Sequence, residues 1–132
     1  AFDAVMAAFK LPKDSDKDKK ARSQAIEQAT IGAAESPLAV SGLAVECLEL
    51  AQQAAEHGNT NAVSDAGTAA ALAMACLQGA GLNVRINVAS LGDKHKAGAK
   101  LLQQQRKLES QAYKLQAAVN EQVASRGGFT LE

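Results

Sequence analysis

Aromatic side chains are almost missing from this chain: three phenylalanines, one tyrosine and no tryptophan, or 3% of 132 residues. Aromatics bury the most area per residue, so a core built without them must be assembled from many small contacts. Net charge is missing too, because 14 basic and 14 acidic residues cancel. The basic excess that accompanies phosphate binding is therefore absent, and nucleic acid is not an expected partner. The densest charged run, Asp14 to Arg22, mixes both signs and reads as the solvated start of a helix.

The two cysteines, Cys47 and Cys76, lack the close spacing of a metal or redox pair. Both fall within predicted helices and are expected to be buried free thiols in a reducing compartment. No signal-peptide pattern is present, and Asp65 and Arg85 interrupt the only apolar stretch of membrane length. The expectation is a soluble, cytoplasmic protein with no membrane partner. No glycine-rich phosphate loop follows a strand, no Ser/His/Asp set stands in context, and no metal-ligand cluster occurs. Neither a metal nor a cofactor is expected. His57 and His95 sit beside predicted helix ends and read as surface or capping residues.

What is present is helix. Hydrophobic residues make up 47% of the chain, much of it alanine, which lets helices approach closely while each buries little. One domain spanning 1–132 is expected, and such a chain gains stability from long helices or a second subunit. Phe2, Val5, Met6 and Phe9 mark one face of a first helix, which ends at Leu11-Pro12. Ser15 or Asp16 caps a second, running to about Ala34. Glu35-Ser36-Pro37 reads as the start of a third, with Ser36 as cap and Pro37 at the first helical position, and it stops at His57-Gly58. A fourth helix fills Asn59–Leu91 behind a cap at Asn61 or Ser64, and Asp93 caps a fifth reaching about Arg126. Residues 127–132 are expected to form a mobile tail. The reading is all-α, a bundle of about five helices around a long central small-residue helix.

That central helix carries glycine or alanine at Gly67, Ala71, Ala75 and Gly79, then asparagine at Asn83 and Asn87, each four residues apart. Small residues at this spacing let helices pack backbone to backbone. Asp65 and Asn83 lie five turns apart, facing the same way about 27 Å along the axis. One straight helix therefore does not bring both to one small ligand. Two antiparallel copies across a symmetry axis bring Asp65 of one toward Asn83 or Asn87 of the other, a composite site at a homodimer interface. Equally open at this level is a plainer role. An asparagine in such a helix often bonds a neighbouring backbone, and Asp65 suits a first turn on dipole grounds alone.

GNTNAVSDAGTAA followed by GAGLNVRINVASLGD resembles the signature of the cyclodeaminase/cyclohydrolase family, which comprises the helical domain of formiminotransferase-cyclodeaminase and its stand-alone bacterial relatives. The flanking AFDAVMAAFKLPKD, a charged helix and ESPLAV agree in order. The resemblance implies an all-helical homodimer binding a tetrahydrofolate derivative near the subunit contact. It also implies conversion of 5-formiminotetrahydrofolate to 5,10-methenyltetrahydrofolate with loss of ammonia, or hydrolysis of the methenyl ring. Ser64, Asp65, Asn83 and Asn87 are the substrate contacts it suggests. Family members carry further N-terminal helices and an aspartate, their proton donor, upstream of the position matching Ala1. The catalytic residue is thus not assigned here, and the chain reads as the later part of the family domain. A catalytically incomplete folate-binding or scaffold homologue is the alternative.

Overall fold

The computed structural model describes residues 1–130 and is all-α. It consists of α1 (Phe2–Phe9), α2 (Asp16–His57), a 3₁₀ turn (Thr60–Ala62), α3 (Val63–Leu91) and α4 (Lys96–Gly127). The tail expected over residues 127–132 falls partly on Leu131 and Glu132, which lie outside the described residues.

Among the described residues four α-helices stand where about five were expected, and the difference lies at Glu35-Ser36-Pro37. The second and third predicted helices are one helix of 42 residues with Pro37 inside it. Proline has no N–H to donate to the carbonyl four residues earlier, here that of Ala33. Asn87, on α3, supplies the missing donor: its Nδ2 lies 3.1 Å from the Ala33 oxygen. The helix passes through its proline because another helix satisfies the freed carbonyl.

α3 packs against both α2 and α4, α4 also meets α2, and α1 rests on α2. Polar contacts fasten several of the helix ends. Ser15 and Asp18 form a reciprocal capping box at the start of α2. At its other end, Arg126 of α4 donates to the carbonyls of Ala55 and Gly58 and to the Thr60 hydroxyl. A cation there also suits the negative end of the helix dipole. The expected caps of the last two helices shift. Asn59, rather than Asn61 or Ser64, accepts from the turn at Asn61 N–H, and α3 starts after Ala62 with no side-chain cap. His95, rather than Asp93, caps α4: its Nδ1 accepts from Gly98 N–H at 3.3 Å. Its hydrogen therefore sits on Nε2, which faces Glu27 at 3.0 Å.

The core has two apolar clusters with a polar layer between them in register. One gathers Leu48, Ala70, Met74, Leu77, Ala112 and Val119, and the other Ala34, Val84, Val88 and Leu101. Ser41 on α2 and Gln105 on α4, each 0% exposed, fall between them, as does Gly81 on α3.

Two expectations are corrected here. Cys47 and Cys76 are exposed thiols, not buried ones, because each lies on the outward face of its helix. And two helical stretches, within Asp16–His57 and Thr60–Leu91, do reach the length and mean hydropathy of a membrane span. The assumed break at Pro37 had hidden the length of the first.

Removing the Asn87 amide leaves the Ala33 carbonyl without a donor, so Asn87→Ala should cost about 1–3 kcal/mol in urea unfolding. In a Pro37→Ala background the restored N–H bonds that carbonyl, and the same substitution should cost at least about 1 kcal/mol less. Equal costs in both backgrounds would show that Asn87 does not serve the proline.

Candidate functional site: a cleft at the proline break

A cleft of about 470 Å³ opens where α1 begins, α2 passes its proline and α3 nears its end. Phe2 and Val5 wall it from α1, Ala33 and Pro37 from α2, and Ile86 from α3. Its polar side chains are Ser36, Asn83 and Asn87, and no lining side chain is ionisable. The two asparagines stand one helical turn apart and are tied to backbone. Asn87 Nδ2 bonds the Asn83 carbonyl at 2.9 Å as well as that of Ala33. Asn83 Nδ2 bonds the Gly79 carbonyl at 3.0 Å. An amide oxygen so close to carbonyl oxygens would be repelled, so these contacts fix both amide orientations.

Of the four residues suggested by the sequence, the structure therefore brings Asn83 and Asn87 into one cleft. Ser64 and Asp65 lie exposed in the first turn of the same continuous helix, about 27 Å from Asn83 along its axis. The Ser64 carbonyl accepts the Thr68 hydroxyl at 3.0 Å, an ordinary intrahelical contact. Within one chain, Ser64 and Asp65 do not belong to the cleft. The small-residue ridge between the two ends is more open than its composition suggests: Ala71, Ala75 and Gly79 are exposed. A Cβ at Gly79 would meet nothing within 4 Å.

A second polar group went unrecognised in the sequence. Arg85 makes two 2.8 Å hydrogen bonds to the Glu109 carboxylate, one from each terminal nitrogen, and a third to the Gly81 carbonyl. Gln105 donates to the same carboxylate at 3.0 Å. A Cβ at Gly81 would lie 2.7 Å from Gln105 Nε2 and 2.8 Å from Glu109 Oε1, so a larger residue there would make the ends of these side chains shift. The hydrogen bonds from Arg85 hold the Glu109 carboxyl below its ordinary range against the opposing effect of burial, and those to Glu109 raise Arg85. The partners lie 24 residues apart on different helices, so no local spacing announces them. Among the described residues no cluster of three or more His, Cys, Asp or Glu is placed to hold a metal ion.

A family model described as formiminotransferase-cyclodeaminase matches residues 1–107, which include the whole cleft. The chain belongs to the formiminotransferase-cyclodeaminase family. Within it, a methenyltetrahydrofolate cyclohydrolase of Methylorubrum extorquens is 46% identical over 94 residues, covering 71% of this chain and 45% of that protein. The formimidoyltransferase-cyclodeaminase of Sus scrofa is 34% identical over 93 residues, covering 70% and 17% respectively. The solved formiminotetrahydrofolate cyclodeaminase of Thermotoga maritima matches 94% of this chain and 57% of its own, with a TM-score of 0.79 and 26% identity. This member of the formiminotransferase-cyclodeaminase family thus spans less than half the length of the curated relatives it matches.

The Glu109 pairing has a pH signature. A carboxyl whose folded pKa is depressed stabilises the fold above its unfolded value, and that contribution is lost as pH falls through the folded pKa. Stability measured from pH 6 downward should therefore fall more steeply in the native chain than in Glu109→Gln, with the gap between the curves narrowing below about pH 5. Parallel curves would mean that the pair adds nothing to the folded state.

Proposed function

We propose that this chain acts in one-carbon folate chemistry, binding a tetrahydrofolate derivative in the cleft at Pro37 and hydrolysing its methenyl bridge. The observation that carries this reading is the pair of fixed amides, Asn83 and Asn87. They sit in a chain 46% identical to a methenyltetrahydrofolate cyclohydrolase. Ammonia release from 5-formiminotetrahydrofolate is the second reading, favoured by the fold shared with a formiminotetrahydrofolate cyclodeaminase. Either reaction moves a proton near the one-carbon centre. No side chain lining the cleft can do that, so the cleft binds and orients while the acid–base group comes from beyond those lining residues.

A second copy of the chain is the source we favour, within a cytoplasmic homodimer engaging neither nucleic acid nor membrane. Large apolar side chains stand uncovered on α2 and α3: Leu43 is 59% exposed, Leu50 64%, Leu72 67%, Leu82 63% and Ile86 67%. Patches of this kind mark interaction surfaces. Between Leu72 and Ile86 run Ala75 and Gly79, small enough for a second α3 to approach closely. Antiparallel pairing about a two-fold axis near Cys76, midway between Asp65 and Asn87, places each Asp65 over the other chain's amides. Cys76 returns to within about 20° of Asp65 around the helix, so it faces the same axis. Ser64 and Asp65 then join Asn83 and Asn87 as substrate contacts across the interface.

Two measurements test this reading. The chain should abolish the near-ultraviolet absorbance of methenyltetrahydrofolate faster than buffer does, and Asp65→Ala should slow that loss at least about tenfold. Mild oxidation should cross-link Cys76 to Cys76 of a second copy in a Cys47→Ser variant. Monomers that remain uncross-linked, with a monomeric mass in sedimentation, would refute the composite site.

A further inference from the structure

We infer that Ser36, Asn83 and Asn87 give the cleft at Pro37 a hydrogen-bond acceptor wall, built to take the neutral, donor-bearing edge of a heterocycle. The inference deepens the folate reading and rests on it for the ligand's identity, though not for the cleft's polarity.

The inventory of hydrogens decides the polarity. Asn87 commits its amide nitrogen to two backbone carbonyls, at 3.1 and 2.9 Å, so both of its N–H groups are spent inside the protein. Asn83 spends one of its two on Gly79, at 3.0 Å. Ser36 spends its only hydrogen on the Gly32 carbonyl, at 3.1 Å. On this side-chain wall, what remains available is Oδ1 of Asn87, Oδ1 of Asn83 and the lone pairs of Ser36 Oγ, against a single N–H on Asn83. The main-chain nitrogen of Ala1, which also lines the cleft, is a further donor outside that wall. No lysine, arginine or histidine side chain lines the cleft, so beside the two amides the surplus of oxygens disfavours a negative charge. The proline enforces this arrangement. Its missing N–H leaves the Ala33 carbonyl to draw the Asn87 nitrogen inward, which turns the Asn87 oxygen outward.

The complementary ligand edge is one where N–H groups stand side by side, as the ring N–H and exocyclic amine do on a 2-amino-4-oxo pyrimidine ring. The fused ring of a folate carries that edge, and Phe2, Val5, Pro37 and Ile86 offer apolar walls for its faces. The carboxylate tail of such a ligand must then lie away from the two amides.

The side-chain amide signals of Asn83 and Asn87, followed by NMR on the intact chain, read the polarity directly. Pterin, with a 2-amino group, should shift them and bind at least about tenfold tighter than lumazine, where a carbonyl replaces that amine. p-Aminobenzoylglutamate, the anionic half of a folate, should leave them unmoved. Asn83→Leu, which removes the Oδ1 acceptor, should lose about tenfold or more in pterin affinity but less than about threefold in lumazine affinity. Lumazine binding as tightly as pterin, a shift with p-aminobenzoylglutamate, or no response to any of the three would overturn the inference. So would equal losses for the two ligands in that variant. A pterin response without methenyltetrahydrofolate turnover would count against the enzymatic reading alone. Turnover with indifferent pterin and lumazine binding would count against the acceptor cleft alone.

Discussion

A proline in the middle of a 42-residue helix leaves one carbonyl without its donor, and the way that deficit is met organises much of the molecule. Asn87 reaches from α3 to the Ala33 oxygen of α2. In doing so it fixes the register of the two helices near the end of α3. Pro37 and Asn87, which look unrelated in sequence, are two halves of one device. A buried or half-buried unpaired carbonyl costs more than a made hydrogen bond returns, so the pairing specifies the arrangement as well as stabilising it. The cleft is the space left around that pairing, roofed by the start of α1.

Scarcity of aromatics shapes the rest. The core is alanine-rich and divided by the layer of Ser41, Gly81 and Gln105. Arg85 and Glu109 add a paired charge at the same level of the bundle. Small side chains give close helix contacts but little buried area, and Leu43, Leu50, Leu72, Leu82 and Ile86 of α2 and α3 point outward. A single copy thus leaves uncovered much of the apolar surface that its helices carry. The proposed dimer unites two features that one chain keeps apart: an exposed ridge ending in amides and, about 27 Å away, an exposed aspartate.

Much of this was legible in the sequence, and the failures share a cause. Periodicity and cap residues gave the all-α class, a cap at Ser15 or Asp16, met by Ser15, and an end of the last helix near Arg126, met at Gly127. The grouping of Asn83 with Asn87 followed from their spacing of four. The plainer possibility, that an asparagine here bonds neighbouring backbone, holds for both residues. Ser36-Pro37 was misread as a helix start because its local chemistry is that of one. The signal against a break was an amide 54 residues away in sequence. The Arg85–Glu109 pair and the Arg126 clasp on α2 were missed for the same reason, since their partners lie 24 and about 70 residues distant. The burial of Cys47 and Cys76 was inferred from helices assumed to be enclosed, whereas these two have open faces.

The hydrogen bond from Asn87 to Ala33 can be observed directly, as a through-bond NMR correlation between the Asn87 side-chain nitrogen and the Ala33 carbonyl carbon. That correlation should be present in the native chain, alongside slowly exchanging Asn87 amide hydrogens. A correlation to the Asn83 carbonyl alone, with rapid exchange of the second amide hydrogen, would contradict the account. It would mean that α2 crosses its proline without help from α3, and that the cleft's polarity is not fixed by the fold.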